Sequence, residues 1–379
     1  MTRPLCIAQI LPELNVGGVE QGVIDSARGY VARGHRSLVI SGGGGLVETL
    51  EAEGSTHHTL PVHKKSLMTA WRMVGQVAAL LEREKADLLH ARSRVPAWIG
   101  YYAARRAGVP FVTTVHGFYS KPWYSRVMAR GERVIAVSRG IADYAVKSLG
   151  ADPERLRVIH RGTDPERFDL NWDGERVAAK RRALGLPESG RVVTVIGRIT
   201  RLKGHSVLID ALAKLSDLPD VTLLVAGSAP PKKAALQAEL TAQVARLGLA
   251  GRVVFAGSRK DVDEVLQVSD LLVNCSIQPE SFGRTLIEAM AAGKPVIASA
   301  HGGALDIVED GVCGYLVPPG DAGALAEAVR RVMSSTDGGA ALGAAGRERV
   351  VKNFSVDRMV EKTLEVYAEV CPETGSVAA

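Results

Sequence analysis

Aromatic residues are scarce in this chain of 379 residues: Phe, Tyr and Trp together make up 5%. Cysteine is scarcer, with only Cys6, Cys275, Cys313 and Cys371, far apart and without a CxxC pair. That spacing argues against a disulfide framework and a structural zinc site, and suits free thiols in a reducing compartment. No run approaches the roughly 20 apolar residues needed to span a bilayer. The apolar stretch 5–11 behind Met1-Thr2-Arg3-Pro4 is short for a secretory signal and has no small-residue cleavage site. It is expected to be the first buried strand of a cytoplasmic protein. There is no zinc-finger, RRM or KH signature, so nucleic acid is not an expected partner.

Apolar surface is ample. At 46% hydrophobic and 23% charged, the composition excludes a disordered chain, and the length suggests two domains. The net charge of +6 is uneven. Residues 1–165 carry 22 Lys/Arg against 14 Asp/Glu, and the remainder carries 25 against 27. A basic first half suits an anionic partner such as a membrane surface or a phosphorylated substrate.

Short Val/Ile/Leu runs alternate with longer amphipathic stretches. Strands are expected at 5–11, 37–40, 58–62, 88–91, 111–115, 134–137 and 157–159, with helices at 18–33, 66–84, 97–107 and 140–149. Apolar runs with little alternation are those of strands covered on both faces, and strand–helix alternation implies parallel sheets. A break with turn chemistry at 159–165 leads into the polar stretch 171–188, read as an interdomain connection. The pattern restarts with strands at 192–196, 221–226, 253–256, 271–274, 296–298 and 314–317. Helices are expected between them at 205–215, 232–247, 262–268, 284–292 and 322–333. A last helix follows Ser355, and 372–379 reads as a frayed end. The expected domains are 1–168 and 169–354, with the helix 355–371 returning to the first.

Four segments at strand ends can carry chemistry. After the first strand, Gly17-Gly18 opens a helix whose free N–H groups suit an anion. The run 42–45 has four glycines but no lysine, and reads as a flexible tip. After the strand at 192–196, Arg198 and Lys203 flank a glycine-bearing turn, a pair able to neutralise a diphosphate. After the strand at 271–274 comes Pro279-Glu280-Ser281-Phe282-Gly283-Arg284-Thr285-Leu286-Ile287-Glu288. Its loop and helix start present unpaired N–H groups to phosphate oxygens. Glu288, among apolar neighbours, needs a partner, and a ribose diol fits. His116 directly follows the strand at 111–115, at the carboxyl edge where ligands of open parallel sheets collect. Asp261-Val262-Asp263 mimics a metal-binding DxD but opens a helix with no third oxygen ligand nearby, so no metal is expected there.

Together these residues resemble the retaining, nucleotide-sugar-dependent glycosyltransferases of family four, with GT-B architecture. Glu280-x7-Glu288, Gly197-Arg198 with Lys203-Gly204, and Gly293-Lys294-Pro295-Val296 carry the resemblance, with His301-Gly302-Gly303 and the segment 311–321 extending it. The resemblance implies two Rossmann-like parallel-sheet domains facing a cleft. It implies Arg198 and Lys203 on the donor diphosphate and Glu288 on the ribose. Glu280 would meet the transferred sugar, with Phe282, Gly283, Arg284 and Thr285 lining sugar and phosphate. It also implies Gly17 and Gly18 at the phosphate, His116 beside the sugar, and Ser258 and Arg259 at the base. The catalytic set would be His116, Glu280, Arg198 and Lys203, with no cofactor and no metal, because fixed cations stabilise the leaving group. No carboxylate pair suited to double displacement is visible, so the implied retaining route is front-face. One position departs from the family, which often reads Asn-Gly where this chain has Arg161-Gly162.

Lys64, Lys65, Arg92, Arg94, Lys121, Trp123, Tyr124 and Arg126 read as first-domain loop residues, and cations mixed with aromatics suit an interfacial acceptor. Of these, Arg94, Lys121, Trp123 and Tyr124 are the acceptor candidates. The expected activity is transfer of a hexose-type sugar from a UDP- or GDP-linked donor. The expected acceptor is a lipid-linked, lipopolysaccharide-core or polysaccharide molecule, at the inner face of the cytoplasmic membrane. The competing readings are a nucleotide-sugar epimerase on the same plan, a non-catalytic sugar-nucleotide binder and a dinucleotide oxidoreductase. The last is disfavoured by the missing GxGxxG.

Overall fold

The computed structural model describes residues 3–15, 17–64, 66–230 and 233–371. Lys65, the first residue of the helix expected at 232–247, and the stretch 372–379 lie outside the described residues. The chain divides into two compact units. One runs to Gly162 and resumes at Val356, and the other is Thr163–Ser355.

Unit one is built on seven strands: β1 (Cys6–Ile10), β2 (Arg36–Ser41), β3 (Thr56–Thr59), β4 (Leu88–Ala91), β5 (Phe111–Val115), β6 (Arg133–Ala136) and β7 (Leu156–Val158). Their order is β3-β2-β1-β4-β5-β6-β7, all parallel. Every residue of β1, β4 and β5 is buried, as the unbroken apolar runs require. The helix Val356–Val370 packs on this unit. Gly29 makes room for Val360, since a Cβ at Gly29 would come within 2.5 Å of a Val360 methyl. Farther along, the Tyr367 hydroxyl reaches Tyr30 Oη at 3.0 Å and His90 Nδ1 at 2.6 Å. Glu369 takes hydrogen bonds from Arg133 and Arg157 at 2.6 Å each.

Unit two has six strands: β8 (Arg191–Ile196), β9 (Val221–Ala226), β10 (Val253–Phe255), β11 (Leu271–Asn274), β12 (Val296–Ser299) and β13 (Tyr315–Val317). Their order is β10-β9-β8-β11-β12-β13, again all parallel. In both units the order reverses beside the first strand, which is where doubly wound sheets open a crevice for ligands.

Three expectations need correction. The division falls at Gly162/Thr163 rather than at 168/169, because Thr163 N–H already bonds Phe354 O at 2.9 Å inside unit two. The stretch 171–188 is not merely a linker. It contains the helix Gly174–Ala183, whose start is capped by Asp173 accepting from the Arg176 N–H at 2.8 Å. The run 42–45 is not a loose tip. Gly42 N–H bonds Pro12 O, Leu14 N–H bonds Gly43 O, and a Cβ at Gly44 would sit 2.4 Å from Leu14 O. The glycines thus let two backbones close on each other after β1 and β2. Among the described residues, no helix is long and apolar enough to cross a membrane, and all four cysteines are free thiols.

Candidate active site

In unit two, the loops that follow β8 and β11 are knitted together at the point where the strand order reverses. Ile277 N–H bonds Leu202 O at 2.8 Å, and Cys275 Sγ donates to Lys203 O at 3.2 Å. Gly204 has φ +67°, and a Cβ there would meet Cys275 O at 2.0 Å, so only glycine allows this approach. The turn aims Lys203 at Glu280: Nζ lies 2.5 Å from Oε1. Ser276 Oγ bonds the same oxygen. Burial works against the Glu280 charge. The Lys203 ammonium and hydrogen bonds from Lys203, Ser276 and Asn274 outweigh it and hold the carboxyl below its usual range. Arg198 stands exposed on the preceding turn, next to Gly197 at φ +146°.

The 279–283 loop is shaped from behind by the His301-Gly302-Gly303 turn. Gly303 N–H bonds Glu280 O at 2.9 Å, and His301 Nε2 lies 2.8 Å from Ser276 O. A Cβ at Gly302 would meet Glu280 O at 2.4 Å, and one at Gly303 would meet Phe282 O at 2.1 Å. These glycines therefore build the loop. Gly283, at φ +116°, leads into the helix Arg284–Ala291, with Thr285 half-buried in its first turn. Phe282 is buried against Phe354. The partner that Glu288 requires is Arg284, one turn before it at 3.4 Å.

Ser258 and Arg259 follow β10, at the edge of the sheet. Ser258 is exposed and Arg259 is paired with Asp261. Asp261 also accepts from Lys180, and Asp263 pairs with Arg167 at 3.4 Å, so the DxD carboxylates are engaged by cations.

Gly17, Gly18 and His116 belong to unit one. Gly17 precedes the helix Gly18–Val31, and Gly18 is exposed in its first turn. His116 follows β5. Its Nδ1 lies 2.7 Å from Arg161 Nη2, and its Nε2 is buried without a hydrogen-bond partner among the described residues. Burial first, then the charges of Arg161 and Arg92, hold its pKa well below the usual imidazole value, so the ring is neutral. Arg161 is the residue that sequence reasoning missed. It looked like a linker position, and its only visible mark was the departure from Asn.

The acceptor candidates are not loop residues throughout. Arg94 begins the helix Arg94–Ala107, and Trp123 and Tyr124 lie in the short helix Pro122–Ser125 behind Lys121. Arg92 is a core residue, 4% exposed, with Nη2 bonded to Gln9 Oε1 at 2.6 Å. Trp98 Nε1 donates to Tyr124 O at 3.0 Å. Trp98 and Tyr124, with Trp71, Tyr102, Val74, Val95 and Ile99, line a pocket of about 450 Å³, and Lys64 stands at its wall. The Arg130 guanidinium lies over the Trp98 ring at 5.4 Å, and that of Arg94 over Tyr119 at 4.8 Å.

Comparison with known proteins places these features. Residues 16–167 match Glycosyltransferase Family 4, and residues 177–349 match Glycosyl transferases group 1. The crystal structure of a glycosyltransferase from Rickettsia africae aligns with a TM-score of 0.91 and 31% identity, over 98% of this chain and 100% of that one. The chain belongs to the family 4 glycosyltransferases. This glycosyltransferase, an α/β protein of the GT-B fold, is also similar to Anabaena HepE, crystallised in complex with UDP and glucose. The TM-score is 0.83 and the identity 27%, over 96% of this chain and 99% of that one. Among curated proteins it is 34% identical over 314 residues to a D-inositol 3-phosphate glycosyltransferase of Salinispora tropica, covering 76% of this chain. The aligned part spans 64% of that relative's length.

Proposed function

We propose that this glycosyltransferase moves a hexose-type sugar, with retention, from a UDP- or GDP-linked donor to a lipid-linked, lipopolysaccharide-core or polysaccharide acceptor. The Lys203–Glu280 pair carries the reading. An ammonium fixed at the β8–β11 crevice keeps further N–H donors for a diphosphate, and the carboxylate beside it accepts from sugar hydroxyls. Arg198 adds a second cation, and the amides at Phe282, Gly283, Arg284 and Thr285 add dipoles, so negative charge developing on the leaving nucleotide is met without a metal ion. Glu288 binds the ribose. Ser258 and Arg259 take the base through backbone groups. Gly17 and Gly18 add amides to the phosphate, and His116 donates to the sugar. Similarity to a protein crystallised with UDP and glucose favours uridine and glucose over guanosine donors.

The aromatic pocket of unit one supports a lipid-linked acceptor. Trp71 in its lining is 79% exposed and Trp123, with its ring 5.9 Å from that of Tyr124, is 70% exposed, and the cations Lys64, Arg94, Lys121 and Arg130 suit anionic headgroups at the cytoplasmic face of a membrane. A second reading, a soluble phosphorylated polyol as acceptor, is favoured by the name of the 34%-identical Salinispora relative. The test is a thermal-shift panel of UDP, GDP, ADP and CMP. Transfer assays with the stabilising donor follow, offering inositol phosphate and a lipid-linked oligosaccharide in parallel arms. Stabilisation by none of the four, or donor turnover at full rate in Lys203→Ala and Glu288→Ala, would remove the donor site from unit two.

A further inference from the structure

We infer that Arg161 is a positioning residue: its guanidinium holds His116 in the tautomer protonated on Nε2, so the imidazole presents one fixed hydrogen-bond donor to a hydroxyl of the transferred sugar. The sugar contact rests on the donor reading above. The tautomer does not, because His116 and Arg161 both lie in unit one.

The argument starts from what a guanidinium can do. It has five N–H donors and no acceptor. At 2.7 Å from Arg161 Nη2, the His116 Nδ1 atom must therefore accept, which leaves the single ring proton of a neutral imidazole on Nε2. Burial and the nearby Arg161, Arg92 and His90 keep the ring neutral. The main chain that carries the ring is tied down, since the His116 backbone N–H bonds Tyr119 Oη at 3.2 Å, and Tyr119 N–H bonds Tyr144 Oη at 3.0 Å.

The arginine is itself seated. It is only 8% exposed, and its side chain crosses the helix Gly18–Val31 at Gly22, where a Cβ would lie 2.4 Å from Arg161 Nη1. Gly22 thus leaves open the space that the guanidinium occupies. The outcome is a buried Nε2–H with no partner among the described residues. A buried donor left unsatisfied is costly, and functional sites are where such groups persist. Asparagine at 161 would turn either its oxygen or its nitrogen to Nδ1 and leave the proton's place open. Arginine removes that choice.

The test uses the full chain with ¹⁵N-labelled histidine, read by long-range ¹H–¹⁵N correlation, with His116 assigned by its loss in His116→Asn. The wild type and Arg161→Lys, which also only donates, are expected to show the proton on Nε2. Arg161→Glu, whose carboxylate accepts from Nδ1–H, is expected to reverse it. A wild-type proton on Nδ1, or an Arg161→Glu spectrum like the wild type, overturns the inference, and the first of these needs no variant to fold. For the sugar contact, UDP and UDP-glucose are titrated into the same proteins. Arg161→Glu is expected to weaken UDP-glucose about tenfold and leave UDP unchanged, with Arg161→Lys restoring affinity. Equal losses for both ligands mean a merely structural arginine and overturn the positioning role. Failure of wild type to bind UDP-glucose while the tautomers behave as expected falls on the donor reading alone.

Discussion

The two units share a strand order and place their polar groups at the same topological point, yet they fill it in opposite ways. Unit one packs a wholly buried hydrogen-bonded network around a cation: Gln9 on β1 stands level with His90 on β4, His90 bonds Tyr367 and Thr114, and the Arg92 guanidinium donates to Gln9 and Thr114. Unit two places a charged pair, Lys203 and Glu280, on loops just beyond the strands, and the core beneath is apolar apart from groups such as Thr194 and Ser269, which bond each other. Topology therefore fixes where a site forms and leaves its chemistry to the loops. A network sealed from water, with no carboxylate to release, positions side chains. An ion pair whose ammonium still reaches water is ready to exchange its partner for an anion.

Breaking the ion pair has the largest expected effect. Lys203→Ala removes the cation and leaves a largely buried carboxylate behind, and should lower donor kcat/KM by about a hundred- to a thousandfold in steady-state assays. Acidification comes next. Burial, with Arg92 and Arg161 beside them, holds His90 and His116 well below the usual imidazole value. Their contribution is complete above the unfolded value of about 6.5 and is lost as pH falls below it, at up to about 1.4 kcal/mol per pH unit for each. Glu280, also depressed, loses its contribution only below the unfolded carboxylate value of about 4.3. Unit two carries one such imidazole, His205, lowered to about 4 by burial and by Lys203. Urea midpoints read by fluorescence should thus fall from pH 6.5 to 5 more steeply in unit one, which holds Trp71, Trp98 and Trp123, than in unit two, which holds Trp172.

Tyr367→Phe is the third. It deprives His90 Nδ1 of its bond and should cost about 1–3 kcal/mol in unit one, seen as a lower first melting transition with donor binding intact. The smallest is Arg284→Ala, which removes an i,i+4 pair worth about 0.2–0.5 kcal/mol. Its use is to show whether freeing Glu288 alters nucleoside affinity without altering stability.

Strands buried on both faces declare themselves, and β4, β5, β9 and β11 begin and end where their apolar runs do. Of the helices that were not expected, two of ten residues or more were hidden for physical reasons. Gly174–Ala183 has Val177, packed against the core, as its one large apolar residue, and is held through that contact, its Asp173 cap and Lys180, which pairs with Asp261. Ala340–Asn353 packs through glycines: a Cβ at Gly343 would meet Gly293 O at 2.0 Å, and such close approach leaves no apolar stripe to see. Of the candidate site, Lys203, Glu280 and the 279–288 segment are readable because charge and glycine sit together at a strand end. Arg161 was not, because its partner is 45 residues away and only the fold brings them together.

At Thr163 the polypeptide enters unit two, and at Ser355 it leaves; a β-bridge joins these two residues. An insert whose first and last residues are clasped has the anatomy of a cassette. Residues 163–355 can be exchanged for the corresponding part of a relative by cutting at a single place on the molecule. Whatever unit two binds is thereby open to change by recombination, while unit one stays as it is.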